Sequence, residues 1–216
     1  APDTCQIAEG NEGEAIEYHW YGMWTFLRYI SENYGNDVIR ILWENLVTLD
    51  GYSALETTLE GVGTSLNDVF RGFAVALLTR GFVEGAGYPT IQLKGEIEAG
   101  RTFNPANGVE QMAMDFVSIR GEGNTSITVQ GLDGLVVGLR ETEAEIFTLV
   151  NSQVIVDASQ YDYVYAVVLN LSRASREADC RDIRYTILTG PGDQTNSPTQ
   201  VVTAPNFNPP RVKLLP

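Results

Sequence analysis

The apolar positions in the first part of the chain follow a helical period. Between Tyr18 and Trp43, apolar and aromatic residues recur every three to four positions, a spacing that gathers them on one side of an α-helix. Gly35 interrupts this run and suits a left-handed position at a helix end, and Asn36 or Asp37 can cap the helix that follows. The pattern therefore predicts two helices joined at Gly35.

Two further helices are predicted before residue 82. Ser53 can cap the third helix, and Gly61 ends it. The fourth helix is capped by Thr64 or Ser65 and carries a wide apolar face. It ends at Arg80-Gly81, a basic residue followed by a glycine.

Beyond residue 90, the period of the apolar positions changes from about 3.6 residues to 2 residues. Seven or eight short segments of alternating apolar and polar residues follow, separated by Gly, Asn, Asp and Ser, and this pattern is typical of an antiparallel sandwich. Asp133-Gly134 is predicted to form a tight hairpin turn. The last segment is rich in proline, which prevents helix formation and favours an extended tail.

The predicted fold class is α+β, with four parts along the chain. Residues 1–17 form an N-terminal arm, residues 18–88 a helical subdomain of about four helices, residues 89–190 an antiparallel β-sandwich domain, and residues 191–216 a Pro-rich extended tail.

Charge and hydrophobicity exclude two classes of partner. The 14 basic and 28 acidic residues give a net charge of −14, which would repel a phosphate backbone, so we expect no nucleic-acid partner. No apolar run approaches the roughly 20 residues that cross a bilayer, so we expect no transmembrane segment. Hydrophobic residues make up 44% of the chain, which is enough to build a core.

The two cysteines, Cys5 and Cys180, stand far apart in the sequence. In an oxidising compartment they predict a disulfide that closes a long loop and contributes about 3–5 kcal/mol. The alternative is a pair of unpaired buried thiols. Asn124 and Asn170 each begin a match to the glycosylation acceptor pattern, and the sequence leaves open whether either is modified.

The segment that begins YGMWTFLRYISENYG resembles a recurring segment of secreted bacterial zinc metallopeptidase-like proteins of the thermolysin-like (gluzincin) group. The resemblance rests on residues 21–35, continues through residues 38–40, 43–44, 63–66 and 70–74, and covers about residues 18–190. It implies a helical subdomain followed by a β-sandwich, and an extracellular or cell-surface location. The chain starts at Ala1 rather than Met, so a signal peptide, a propeptide or an entire upstream region could have been removed, and the sequence leaves open which.

The zinc motif of that group is missing from this chain. In the group, an HExxH helix supplies two zinc ligands and the general base, and a later glutamate supplies the third ligand. The chain contains a single histidine, His19, so no catalytic residue is predicted and the chain alone is not expected to be catalytic. The resemblance then implies that the chain is either the C-terminal part of a longer or processed metallopeptidase, or a descendant of one that has lost the catalytic chemistry.

Two sets of residues are candidates for sites. His19, Trp20 and Tyr21 could line the cleft of a catalytic half, although a half-exposed imidazole at a helix start is the simpler reading. Glu141, Glu143, Glu145 and Asp157 are weak candidates for a structural calcium, because calcium takes six to eight oxygen ligands, and otherwise they are solvated acids. No other cofactor is predicted.

The sequence therefore favours an extracellular, non-catalytic binding or assembly protein derived from, or a fragment of, a metallopeptidase-like protein. A protein partner or self-association follows from this hypothesis. One alternative is a structural subunit of an extracellular filament or surface layer, in which the tail docks on a neighbouring sheet. Another is the C-terminal half of an active zinc metallopeptidase whose catalytic part is upstream or on another chain.

Overall fold

The computed structural model describes residues 16–84, 91–140, 143–172 and 183–193, with only the backbone for residues 16–23 and 143. Within these ranges it confirms the predicted α+β fold, with a helical part followed by a β-sandwich. The helices are α1 (Ile16–Tyr34), α2 (Asn36–Asn45), α3 (Gly51–Gly61) and α4 (Leu66–Thr79). The strands are β1 (Gly95–Glu98), β2 (Thr102–Phe103), β3 (Ala113–Arg120), β4 (Asn124–Gln130), β5 (Asp133–Arg140), β6 (Glu143–Thr148), β7 (Gln153–Asp157), β8 (Tyr163–Asn170) and β9 (Thr186–Pro191), with a short 3₁₀ helix at Ala158–Gln160.

The starts of α2 and α3 differ from the predicted caps. Gly35, with φ of 91°, precedes α2 and no side chain caps this helix, so the predicted cap at Asn36 or Asp37 is wrong. The cap of α3 is Asp50, whose carboxylate accepts a hydrogen bond of 3.0 Å from the Ser53 backbone N–H. The helix therefore begins three positions earlier than predicted, and Ser53 is its third residue rather than its cap.

The ends of α4 follow the sequence more closely. Ser65 caps the helix by accepting a hydrogen bond of 3.1 Å from the Asp68 backbone N–H. At the other end, Arg80 rather than Gly81 adopts the left-handed conformation, with φ of 52°. The Gly81 N–H then donates to the Ala76 carbonyl at 2.7 Å, which satisfies one of the last carbonyl groups of the helix.

Two sheets form the sandwich. The strand order is β1-β3-β8-β5-β6 in the five-stranded sheet and β2-β9-β4-β7 in the four-stranded sheet. The pairs are antiparallel except for β1 and β3, which run parallel. Asp133-Gly134 is not a hairpin turn, and that prediction is wrong. Both residues lie in β5, and the turn falls at Gly131-Leu132, where Gly131 has φ of 94° and the chain passes from one sheet to the other.

The five-stranded sheet is the middle of three layers. Along β3, Met114 and Phe116 pack with the helices, whereas Ala113 and Val117 pack with the four-stranded sheet. The residues of β5 and β8 alternate in the same way. Because both faces of this sheet are covered, its inner strands β3, β5 and β8 carry buried apolar residues on both faces, as is usual for a sheet buried on both sides.

Polar contacts hold the helices on the central sheet. The Arg71 guanidinium on α4 donates to the Gly134 carbonyl at 3.2 Å and pairs with the Asp133 carboxylate. The Tyr52 hydroxyl on α3 donates to the Leu171 carbonyl at 3.2 Å. These contacts fix the helical layer at two separate points of the sheet.

Several predicted features lie outside the described residues. They are the arm up to residue 15, the boundary near residue 88, both cysteines, and the tail beyond residue 193. None of the helices in the described ranges combines the length with the hydrophobicity that a membrane span requires.

Candidate functional site

A half-open cavity of about 370 Å³ lies at one end of the central sheet, beside the end of β3 and the start of β8. Its polar lining comes from three separate stretches of sequence. These residues are Glu96, Ser118, Arg120, Tyr161, Asp162 and Tyr163. The cavity therefore sits on strands of the sandwich and on the short segment that leads into β8.

The strand register brings these residues together. Glu96 on β1 is paired with Ser118 on β3, and Ser118 is paired with Tyr165 on β8. Because alternate residues of a strand share a face, Tyr163 lies on the same face as Tyr165. This is the face that the helices cover farther along the strand, where Val167 packs in the helical core.

Tyr163 and Tyr165 form a stacked pair at the cavity. Their ring centroids are 6.2 Å apart and the ring planes differ by 18°. Tyr163 is 50% exposed, so one part of its surface is open to solvent. Burial, and then the neighbouring Tyr163, raises the pKa of Tyr165, so its hydroxyl is protonated at neutral pH.

An ion pair lies beside this aromatic surface. Arg120 Nε is 2.9 Å from Glu96 Oε1, and both side chains are largely exposed. A surface pair of this kind contributes little to stability. It does place a planar group of donors next to a planar group of acceptors at the mouth of the cavity.

Tyr161 links the cavity to one of the predicted calcium ligands. Its hydroxyl donates a hydrogen bond of 2.5 Å to Glu145 Oε2, and the Arg140 guanidinium carbon lies 5.6 Å from the centre of its ring. Burial, and then the hydrogen bond to Glu145, raises the pKa of Tyr161. The ring also lies against Gly138, where an added Cβ would fall 2.5 Å from Tyr161 Cδ1. Glu145 is therefore engaged by protein groups.

Of the other calcium candidates, Asp157 is engaged by its own helix cap, and the remaining two lie beyond the description. Asp157 caps the 3₁₀ helix, because its Oδ1 accepts hydrogen bonds from the Ser159 N–H at 3.2 Å and the Ser159 hydroxyl at 2.6 Å. Glu141 and the side chain of Glu143 lie outside the described residues. Among the described residues, no three His, Cys, Asp or Glu side chains form a group that could hold a metal ion. Calcium binding stays a prediction.

The residues predicted to line a catalytic cleft are on α1. The backbone of His19, Trp20 and Tyr21 is helical, and their side chains are outside the described part of the structure. The cleft-lining role of these three residues therefore stays a prediction.

A buried polar network in the sandwich was not anticipated from the sequence. Asp115 on β3 is 2% exposed. Its Oδ2 accepts a hydrogen bond of 2.8 Å from the Tyr185 hydroxyl, and its Oδ1 lies 3.7 Å from Lys94 Nζ. Burial, and then the Asp115 charge, raises the pKa of Tyr185. The sequence signal for this network was the single acidic residue inside the apolar run of β3.

The two glycosylation patterns have different environments. Asn170 is fully buried, and its amide donates to the Val109 carbonyl at 2.8 Å. Its Oδ1 accepts from the hydroxyl of Ser172, the third residue of the same pattern, at 2.6 Å. Asn124 is half-buried at the start of β4. In the folded chain, the Asn170 amide is committed to the protein itself.

The helical layer carries exposed apolar residues that we call the α1–α2 surface, defined by Trp24, Trp43 and Val47. Trp43 on α2 is 63% exposed, and Val47, which follows the end of α2 at Asn45, is 83% exposed. Trp24 on α1 is half-exposed. Beside Trp43, Arg40 pairs with Glu44 at 2.5 Å.

A scan against protein-family models and a search of the curated proteins both find no match to this chain. Its function must therefore be inferred from the geometry of its own surfaces.

Proposed function

We propose that this chain is an extracellular, non-catalytic binding module of metallopeptidase-like ancestry, which docks on a protein partner through the α1–α2 surface. The partner that we propose is a catalytic polypeptide that contains HExxH, either upstream on the same polypeptide or on another chain. The observation that supports this function is the exposure of Trp43 and Val47.

The segment that carries the resemblance contains two kinds of residue. Phe26, Tyr29 and Val38 are buried in the helical core, so packing accounts for them. Trp43 belongs to the same segment, yet most of its side chain is in solvent. A core role does not account for a tryptophan in that position.

Exposed tryptophan in a polar setting is typical of a protein interface. Tryptophan is enriched among the residues that dominate binding energy, and interfaces commonly have an apolar centre with a polar rim. Here Arg40, paired with Glu44 and with Asp37 at 3.7 Å, supplies polar groups next to Trp43. The α1–α2 surface thus has the composition of a small interface core with its rim.

The test is binding of an HExxH-containing polypeptide from the native source to the immobilised chain, with identification by mass spectrometry. We expect the wild-type chain to retain that polypeptide and Trp43→Ala to lose most of the retention. Tyr163→Ala is the matched control, because it removes an exposed aromatic side chain from another part of the molecule.

Three results would overturn the proposal. The first is that no HExxH-containing polypeptide is retained by the wild-type chain. The second is equal retention by Trp43→Ala. The third is a concentration-dependent dimer in sedimentation that Trp43→Ala abolishes, because the occupant of the surface would then be a second copy of this chain.

A further inference from the structure

We infer that the cavity at the end of the central sheet is a binding site for a neutral saccharide, with Tyr163 as its stacking platform. This site is separate from the α1–α2 surface, and either proposal can fail without the other.

The platform is rigid and open on one side. Tyr163 is held by its stack on Tyr165 and by its place in β8, which pairs with β3 on one side and β5 on the other. An aromatic ring that is already fixed loses little conformational freedom when a ligand covers it. Half of the Tyr163 side chain remains available for that contact.

Polar groups surround the platform in a way that suits hydroxyl groups. Glu96, Arg120 and Asp162 are among the residues that line the cavity, and the Glu96 carboxylate is paired with the Arg120 guanidinium. A sugar hydroxyl is both a donor and an acceptor, so it can bridge a carboxylate and the guanidinium that lies 2.9 Å away from it. A pyranose ring also presents a flat C–H face, which packs on an aromatic ring while its edge bears the hydroxyls.

Charge and size narrow the class of ligand. Arg120 is the single cationic residue of the cavity lining and is already paired with Glu96, and the chain has a net charge of −14, so phosphates and other anions are disfavoured. The volume of about 370 Å³ falls at the small end of the usual range for ligand pockets, about 300–1,000 Å³. A neutral sugar of one or two rings fits these limits.

The test is isothermal titration of the full chain with maltohexaose, cellohexaose, xylohexaose and chitohexaose, each as a separate probe. We expect at least one to bind the wild-type protein. Tyr163→Ala should weaken that binding by at least about tenfold, whereas Tyr163→Phe keeps the ring and should stay within about threefold. Trp43→Ala is the control for loss of an exposed aromatic and should bind as the wild type does.

Further variants make the result independent of folding defects. Thermal unfolding identifies any variant that has lost its fold. If Tyr163→Ala fails to fold, Glu96→Gln, which changes one exposed carboxylate, should weaken binding of the same probe.

The proposal is overturned if none of the four oligosaccharides binds, or if a folded Tyr163→Ala binds as well as the wild type. It is also overturned if adenosine monophosphate binds at the same site more tightly than every sugar, because the site would then select an anion. If Tyr163→Ala does not fold, unchanged binding of the oligosaccharide by Glu96→Gln would also overturn the proposal.

Discussion

The Tyr185 hydroxyl donates a hydrogen bond of 2.8 Å to Asp115 inside the sandwich. Asp115 belongs to β3 of the central sheet, and Tyr185 immediately precedes β9 of the other sheet, so the contact is a polar link between the two sheets. A buried carboxylate is tolerated only when polar partners replace water. Tyr185 and Lys94 provide such partners here.

Tyr185→Phe should therefore destabilise the protein. The substitution keeps the aromatic ring and removes one hydrogen bond from a buried charged group, for which the cost is about 1–3 kcal/mol. Urea unfolding measures the effect. Tyr163→Phe is the matched control, because it makes the same change at a half-exposed tyrosine. Equal unfolding free energies for Tyr185→Phe and the wild type would show that the link is not stabilising.

Buried tyrosines also predict a loss of stability at high pH. Burial raises the pKa of Tyr29 and of Tyr185 above the ordinary value of about 10. The folded state thus keeps these protons where the unfolded state has lost them, so the contribution is complete below a pH of about 10 and is lost as the pH rises above it.

The measurement is the urea midpoint between pH 8 and pH 11. We expect a decline that begins near pH 10, and a smaller decline for Tyr185→Phe, which lacks one of the tyrosines whose pKa is raised. An equal decline in the variant would assign the effect to other groups.

The lack of a side chain at Gly72 on α4 leaves room for the Tyr29 hydroxyl of α1. A Cβ added at Gly72 would clash with the Tyr29 hydroxyl, so Gly72→Ala should destabilise the protein by about 1–3 kcal/mol. Gly61→Ala is the control, since a Cβ there meets nothing within 4 Å. Tyr29→Phe removes the clashing oxygen and should recover part of the loss when combined with Gly72→Ala. Strict additivity of the two substitutions would contradict this geometry.

Most of the secondary structure could be predicted from the sequence because it is set by local periodicity. The cap of α4 was predicted at Thr64 or Ser65, and it lies at Ser65. Asp50 was missed because Ser53 is also a good cap residue, and only the backbone geometry decides between them. The turn assigned to Asp133-Gly134 was wrong because the strand pairing extends β5 through both residues, and this pairing is not a local property.

The candidate site could not be predicted from local patterns. Glu96, Arg120 and Tyr163 come from three strands and meet only through the register of β1, β3 and β8. Similarly, the three-layer arrangement depends on which faces the helices cover. The uninterrupted apolar run in β8 did carry a signal for a sheet buried on both faces.

The contacts of Arg71 with β5 are expected to stabilise the helical layer on the central sheet. Arg71→Met keeps an unbranched side chain and removes the contacts with Asp133 and the Gly134 carbonyl, so we expect a loss of about 1–3 kcal/mol in urea unfolding. Arg40→Met is the control, because it breaks pairs that lie within one exposed helix. An equal effect of the two substitutions would show that the link between layers adds nothing.

The buried position of Asn170 predicts which of the two acceptor asparagines can carry a glycan. When the chain is expressed through a eukaryotic secretory pathway, the folded product should carry no glycan at Asn170, because its amide donates to the Val109 carbonyl inside the protein. Enzymatic release of glycans in heavy-oxygen water, followed by peptide mapping, marks each occupied asparagine. Any glycan found should be at Asn124, and Asn124→Gln should remove it. Because Asn170→Ala leaves the Val109 carbonyl without this donor, it should lower the unfolding free energy by about 1–3 kcal/mol. A well-folded product with full occupancy at Asn170 would contradict the buried position of this side chain.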